Sequence, residues 1–357
     1  MKQIGIFDED RRLKRLSEMG DPLEKVTKAV DWEIFRPILD KAFQKEARGA
    51  GGRTPWDYVL MFKILLLQGW YNIADDLTEY MINDRLSFQR FLGLSLGNKV
   101  PDAKTIWLFR DTLSKSGVDK ELFALFGAQL EEEGVITRKG SIVDASFADA
   151  PRQRNKREEN KTIKEGGIPE EWKEPKNAHK LAQKDTEARW AKKNGETHYG
   201  YKDHIKVDRE SKIIVDFAVT DASVHDSREI IGLVDGNDKE LYADSAYTGK
   251  DLHDGLNKKN PEMELRINEK GYSNHPLTDE QKASNREKSR VRARVEHPFG
   301  HITNSMGGLT VRCIGLRRAA CIIAFKNLAY NMSRYAYLAF AKYEPLPIKG
   351  LIVPIFL

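Results

Sequence analysis

The chain has 357 residues, 40% of them hydrophobic and 32% charged, with a formal net charge of +5. That length allows two or three domains, and the apolar fraction builds ordinary cores, which argues against wholesale disorder. Two cysteines eight apart, Cys313 and Cys321, give no disulfide framework or zinc site, no run is long and apolar enough to span a bilayer, and Met1–Arg12 lacks an apolar signal core, so a cytoplasmic protein with no membrane partner is expected.

Residues 1 to about 50 are polar and mixed, with a small-residue link at 47–52. Thr54-Pro55 reads as a helix start, Thr as N-cap and Pro as first helical residue, with Val59, Phe62, Ile64, Leu66 and Leu67 as its apolar mass. Ala74–Ile82 and Leu86–Leu92 read as two further short helices. Asp102 caps the next, with Ile106, Phe109 and Leu113 on one face and Gly117 past its end, and an amphipathic helix over 118–133 stops at Gly134. The spacing predicts an all-helical N-terminal domain over residues 1–134.

Strand patterns follow. Ser141–Phe147 is one candidate. Tyr199–Val207 and Lys212–Thr220, joined by the polar turn Asp208–Ser211, read as a hairpin. A helix at His225–Val234, a strand at Glu240–Ala243, a helix at Asp251–Asn257 and a strand at Glu262–Ile267 give a mixed α/β order. The stretch from Pro151 to Asn194 is poor in large apolar residues; Arg152–Lys193 carries 13 Lys/Arg against 8 Asp/Glu. It reads as a basic surface insertion at about 151–195, partly helical around 178–193, with Lys180, Lys184, Lys192 and Lys193 available to DNA nonspecifically. A long helix over Arg317–Ala341 closes the second domain, expected over 135–345, and an apolar tail occupies 346–357.

Charge is concentrated. Lys282–Arg318 holds nine Lys/Arg and two acids, an electrostatic footprint for a polyanion, or else a solvated charged helix. Three acids stand out. Asp144 in Val143-Asp144-Ala145-Ser146 and Asp244 in Ala243-Asp244-Ser245-Ala246 each end a short apolar run among small residues, and Glu296 lies inside the arginine cluster. Carboxylates suit Mg²⁺, and two cations about 3.5–4 Å apart can serve an in-line phosphoryl displacement. The alternatives are ordinary: each Asp closing a turn or capping a helix, and Glu296 pairing with Arg292 one helical turn away. Pro298 requires the helix to kink or restart near His297, which would fix Glu296 in an unusual pose. Tyr201, Lys202 and His204 alternate as a strand face that can stack on a base and touch phosphates, or as a plain strand with one wet face. His225-Asp226 reads as a helix start, or as support behind metal ligands. Trp70, Trp107 and Trp190 read as packing residues.

Arg53-Thr-Pro-Trp56, Gln68-Gly-Trp-Tyr-Asn72, Pro101-Asp-Ala-Lys-Thr-Ile106, Val143-Asp-Ala145, His198-Tyr-Gly-Tyr-Lys-Asp-His204, Ala222-Ser-Val-His-Asp226, Ala243-Asp-Ser-Ala-Tyr247 and Arg292-Ala-Arg-Val-Glu-His-Pro-Phe299 occur in that order. With these strings the sequence, from about Gly52 to Arg334, resembles the transposases of bacterial insertion sequences, specifically the insertion-sequence-five type of the DDE superfamily. The resemblance implies an α/β fold: a ribonuclease-H-like mixed sheet with flanking helices, preceded by the helical, DNA-binding N-terminal domain. It maps Asp144, Asp244 and Glu296 onto the catalytic and metal-binding triad, with two Mg²⁺ per site and Mn²⁺ as a substitute for the same oxygens. It implies DNA contacts by Arg290, Arg292, Arg294, His297, Lys202, His204 and Tyr201. The partners would be double-stranded DNA (terminal inverted repeats and target), and a second copy of the chain in a homodimer or larger synaptic complex at the bacterial nucleoid. One departure is visible: where relatives carry a basic residue one to two turns after the glutamate, this chain reads Gly300-His-Ile-Thr-Asn304, which shifts that contact to Arg290, Arg294 or His301. A nuclease or resolvase that cuts without joining, and a non-catalytic DNA-binding derivative, are the alternatives.

Overall fold

The helix Tyr58–Tyr71 is apolar on every side, burying Val59, Met61, Phe62, Ile64, Leu65, Leu66, Leu67 and Trp70. A helix of that kind needs neighbours all round, and it is the hub of a helical unit. The computed structural model describes residues 8–44, 54–193, 195–272 and 276–341. The expected link at 47–52, Arg53 and the apolar tail at 346–357 lie outside the described residues. The hub's N-cap is Asp57, whose carboxylate accepts the Leu60 N–H at 2.8 Å, rather than Thr54. Its last turn passes through Gly69 and ends at Asn72 in the left-handed region (φ 49°). The short helices Asp75–Asp84 and Leu86–Leu92 and the Asp102-capped helix Ala103–Ser116, with Gly117 at φ 81°, follow the sequence pattern. The polar start of the chain is also helical, over Asp8–Glu18, Pro22–Ala29 and Arg36–Phe43. Asp21 caps the second of these and Pro22 opens it, a start signal present in the sequence.

Aromatic rings fill this unit. Trp32, Phe35, Phe62 and Phe91 meet with centroids 4.8 to 6.5 Å apart, and Phe43 stacks on Phe109 at 4.4 Å. The sequence strings of the front part have structural jobs. The Gln68 amide donates to Asp75 at 2.7 Å, Asp75 takes a two-pronged ion pair from Arg110, and Trp70 Nε1 donates to the Ala329 carbonyl at 2.7 Å. Trp70 is buried as expected, whereas Trp107 is half exposed.

The chain divides into two compact units, Met1–Leu125 with Ser305–Gly307 and Phe325–Leu357, and Phe126–Asn304 with Gly308–Ala324. A boundary after residue 134 was expected. Compactness instead divides the chain inside the helix Asp119–Glu132, and splits the 26-residue helix Leu316–Ala341, whose later part joins the helical unit. The reason is packing: a Cβ on Gly69 would lie 3.3 Å from the Ala329 Cβ and 3.2 Å from the Phe325 carbonyl oxygen, so the two helices touch there backbone to backbone.

The second unit is built on a six-stranded sheet: β1 (Ser141–Asp149), β2 (Arg189–Lys193), β3 (Glu196–Asp208), β4 (Ile214–Asp221), β5 (Glu240–Ala243) and β6 (Glu264–Ile267). β1 is antiparallel to β3 and parallel to β5, which is parallel to β6. β3 pairs with β2 through its first half and with β4 through its second. Three antiparallel strands leading into two parallel ones, with helices such as Lys250–Lys259 and Asp279–Arg292 flanking them, form the expected ribonuclease-H-like mixed sheet. The insertion contains the helices Arg157–Lys164, Glu170–Lys173 and Ala178–Ala182. Its end is β2 rather than helix, because residues 189–193 find a ladder on β3.

Candidate active site

Asp144 sits mid-strand on β1, where apolar Ile142 and Val143 bury the backbone leading to it. β5 runs alongside in parallel, pairing Ser141 with Leu241 and Ile142 with Tyr242. Asp144 and Asp244 each stand two residues past the last position at which the two strands pair. The two aspartates, a hundred residues apart in sequence, come within electrostatic reach of one another and of Arg292. Burial pushes the Asp144 carboxyl above its ordinary range; the Ala145 N–H, which it accepts at 2.8 Å, and the Arg292 cation pull it back, while the neighbouring Asp244 raises it further. Asp244 accepts the Ala246 N–H at 2.8 Å as the cap of the 3₁₀ turn Ser245–Tyr247, and takes an ion pair from Arg292 at 3.3 Å. The turn-capping alternative is therefore realised at Asp244, alongside its place next to Asp144.

Glu296 is held as expected at a restart. The helix Asp279–Arg292 gives way to a 3₁₀ turn, Ala293–Val295, and Glu296 opens the helix Glu296–Asn304. Pro298 enforces the break, since it lacks an N–H and its ring excludes the carbonyl four residues back. Glu296 is exposed, and among the described residues no three His, Cys, Asp or Glu side chains gather closely enough to hold a metal ion. Glu296 thus does not complete a three-ligand cluster with the aspartates. In place of the alternative pairing of Arg292 with Glu296, Arg292 pairs with Asp244. Two adjacent carboxylates, one of them short of solvent and partly neutralised through an arginine on its neighbour, still fit a hard divalent cation, which takes one or two protein carboxylates with waters and substrate phosphate.

Several expected DNA contacts lie elsewhere. Tyr201 is fully buried and donates its hydroxyl to Asp185 at 2.6 Å. His204 is also buried; Nε2 bonds with the Thr220 hydroxyl at 2.9 Å, and desolvation lowers its pKa to about 4, so it stays neutral. Lys202 is nearly buried, donating to Asp226 at 2.8 Å and to the Val224 carbonyl at 2.7 Å. Tyr201 and His204 cannot reach a polyanion, because β3 is buried from Tyr199 to Asp208. The reading of this strand as having a wet face fails for the same reason. Asp226, in the turn Asp226–Arg228 that leads into the helix Ile230–Leu233, serves as the counter-ion of Lys202.

The arginines divide. Lys282, Arg286 and Arg290 lie four apart and exposed, a basic stripe on the helix Asp279–Arg292. Arg292 turns inward to Asp244, and Arg294 is bound to Glu210 at 3.0 Å and to the Arg209 carbonyl at 2.9 Å. His297 is half-buried, its ring parallel to His301 at 6.4 Å. Lys193 is exposed on β2, 3.9 Å from Asp226. Trp190, expected to pack, is 44% exposed, with the Arg152 guanidinium 5.7 Å from its ring. The sequence reading missed Asp185, which anchors Tyr201 and the Glu187 and Ala188 N–H groups, and gave no role to Tyr247. Asp185 is camouflaged among the charges of the insertion; Tyr247 stood in the Asp244 string with nothing to mark its environment.

With this geometry described, comparison with known proteins is informative. Residues 137–332 match the family described as transposase DDE domain, and residues 11–112 match a second, transposase domain (DUF772). Among solved structures, a piggyBac transposase synaptic complex with hairpin DNA aligns over 92% of this chain and 77% of its own at 11% identity, with a TM-score of 0.47. So loose a likeness shows neither activity nor partner for this chain.

Proposed function

Because the chain belongs to the transposase family defined by the DDE domain, we propose that it is a DNA transposase of the insertion-sequence-five type, which binds the terminal inverted repeats of its element, cleaves phosphodiesters at the ends and joins the freed 3′-hydroxyl to target DNA. What supports this reading is the parallel pairing of β1 with β5, with Asp144 and Asp244 each two residues past the last paired position and Arg292 acting on both. Asp144 and Asp244 would hold Mg²⁺, with Glu296 brought to them when DNA and cation are present; Mn²⁺ suits the same oxygens. When bound, the cations supply Lewis-acid stabilisation of the phosphoryl oxygens and an activated water. The residues themselves orient and balance charge. Asp144 is kept short of solvent, so its charge is met by a cation rather than by water. Arg292 neutralises Asp244 at 3.3 Å until another cation takes its place. The stripe of Lys282, Arg286 and Arg290 is suited to the phosphate chain, and the helical unit to end recognition. A pair of ends handled together calls for a homodimer or larger synaptic complex, at the nucleoid.

The test is a strand-transfer assay with a pre-cut duplex carrying the element's end, in Mg²⁺. Wild type should give joined products; Asp144→Asn, Asp244→Asn and Glu296→Gln should each lose them by at least about a hundredfold, the upper end of what removing even an outer partner of a metal ligand does. Cleavage without joining would favour a nuclease. Unchanged activity in Asp144→Asn would leave only a DNA-binding protein. Binding itself should weaken with salt with a log–log slope of about −0.9 per phosphate neutralised.

A further inference from the structure

Tyr247 is buried to 1% exposure in the apolar cluster that includes Val143, Ala243, Ile230 and Leu233. Val143 and Ala243 are the residues immediately before Asp144 and Asp244, so the ring packs against the side chains that flank the carboxylates on their strands and face the other way, while Asp144 and Asp244 both act electrostatically on its hydroxyl. It closes the 3₁₀ turn that Asp244 caps, which fixes it three residues from that acid. Its hydroxyl is shut off from solvent and has no hydrogen-bond partner among the described residues. Buried tyrosine hydroxyls ordinarily find a partner, and an unmet one costs about 1–3 kcal/mol. A phenylalanine would fill the same apolar space without that cost. An unmet donor in such a place calls for a ligand or ordered water to meet it. Burial raises the Tyr247 pKa far above the ordinary phenol value, and the charges of Asp144, Asp226 and Asp244 raise it further, so the group remains a donor at every working pH. Asp226 is already engaged by Lys202, and Asp244 by the Ala246 N–H and Arg292.

We propose that Tyr247 is a positioning residue of this site, its hydroxyl donating a hydrogen bond to an oxygen brought in at the Asp144–Asp244 pair. That oxygen belongs either to the water shell of a divalent cation or to a DNA phosphate. The inference rests on the reading of the aspartate pair as a cation and phosphodiester site.

The experiment uses the full chain and Tyr247→Phe, which removes the oxygen and keeps the ring. Melting is followed in EDTA and in Mn²⁺, Mn²⁺ affinity is measured by titration calorimetry, and affinity for an end-containing duplex is measured in EDTA. Since the hydroxyl is unmet in the ligand-free chain, Tyr247→Phe should melt no lower than wild type in EDTA. If the oxygen is cation-bound, Mn²⁺ affinity and the Mn²⁺-induced rise in Tm should fall, the affinity about tenfold, as for a hydrogen bond to a charged group. If it is a phosphate oxygen, duplex affinity in EDTA should fall by a similar factor with Mn²⁺ affinity intact. Either result supports the proposal. A drop in Tm in EDTA with both affinities unchanged makes the hydroxyl structural and overturns it, as does no change in any of the three. If Asp144→Asn abolishes Mn²⁺ binding while Tyr247→Phe leaves Mn²⁺ and duplex binding alone, the inference fails and the site reading stands. If wild type itself binds neither Mn²⁺ nor duplex, both fall.

Discussion

Asp144 holds its carboxyl in a place where burial opposes the charge. Its raised pKa, caused first by burial, means that the folded chain holds its proton more tightly than the unfolded chain does. Stability from this group is therefore present below the ordinary value of 3.8 and lost as pH rises through the raised one. In the metal-free chain at pH 7, Asp144→Asn should consequently raise Tm, while abolishing any rise on adding Mn²⁺; thermal melts with and without the ion check both. A lower Tm in EDTA would mean that the carboxylate has a stabilising partner, contrary to the balance described. Gly200 makes a different point at the same scale. It pairs with Asp149 at φ 146°, and a Cβ there would lie 2.3 Å from the Ala148 oxygen and 2.7 Å from the Ala150 nitrogen. Both neighbours are backbone, so nothing can swing aside. Gly200→Ala should cost about 3 kcal/mol or more through combined strain and overpacking, measurable by chemical denaturation. The glycine in His198-Tyr-Gly-Tyr-Lys-Asp-His204 is thus a packing requirement of the β1–β3 ladder, as Tyr201, Lys202 and His204 beside it are interior partners.

Among elements, the helix Asp279–Arg292 joins stability to the site. It buries no residue, so tertiary packing gives it little, and its ends matter more. Thr278 and Gln281 form a capping box, with the Thr278 hydroxyl accepting the Gln281 N–H at 3.2 Å and the Gln281 side chain accepting the Thr278 N–H at 2.9 Å. The far end delivers Arg292 to Asp244. Thr278→Ala should cost about 1 kcal/mol, read as faster hydrogen exchange across the first turns and a modest fall in Tm. Unchanged exchange would show that the helix is held by its other contacts. The break after this helix was legible in Pro298. Where the restarted helix would aim Glu296 was not, because a kink fixes a residue's backbone and not its distance from strands fifty residues earlier.

At the scale of the molecule, the last helix is shared out by packing rather than by sequence order. Phe325 meets Phe62 at 5.7 Å, and the Ala329 carbonyl accepts the Trp70 indole N–H. Helices over 58–71 and 325–341 bury one another's apolar surface within one unit. A chain ending at residue 324 should therefore lose cooperative melting of the helical unit, seen as lost helical circular dichroism and loss of its tryptophan fluorescence transition. Retention of that transition would mean the front helices form a sufficient core alone.

Local chemistry, by itself, determined a good deal. Asp102 and Gly117 bounded their helix, Asp208–Ser211 turned the β3–β4 hairpin, and the apolar runs ending at Asp144 and Asp244 became adjacent strands. These signals lie within a few residues of one another, and short-range sterics and hydrogen bonding settle them wherever the segment is placed. Only the tertiary structure decided the rest. The strand over 189–193 exists because β3 offers it a ladder. Tyr201 and His204 are interior because both faces of the sheet are covered where they lie. Arg292 chose Asp244 over Glu296, and the helix starting at Leu316 was divided between two cores. Each of these depends on which distant surface a residue meets, and burial and partner choice are properties of that meeting, fixed when the sheet and the helices pack.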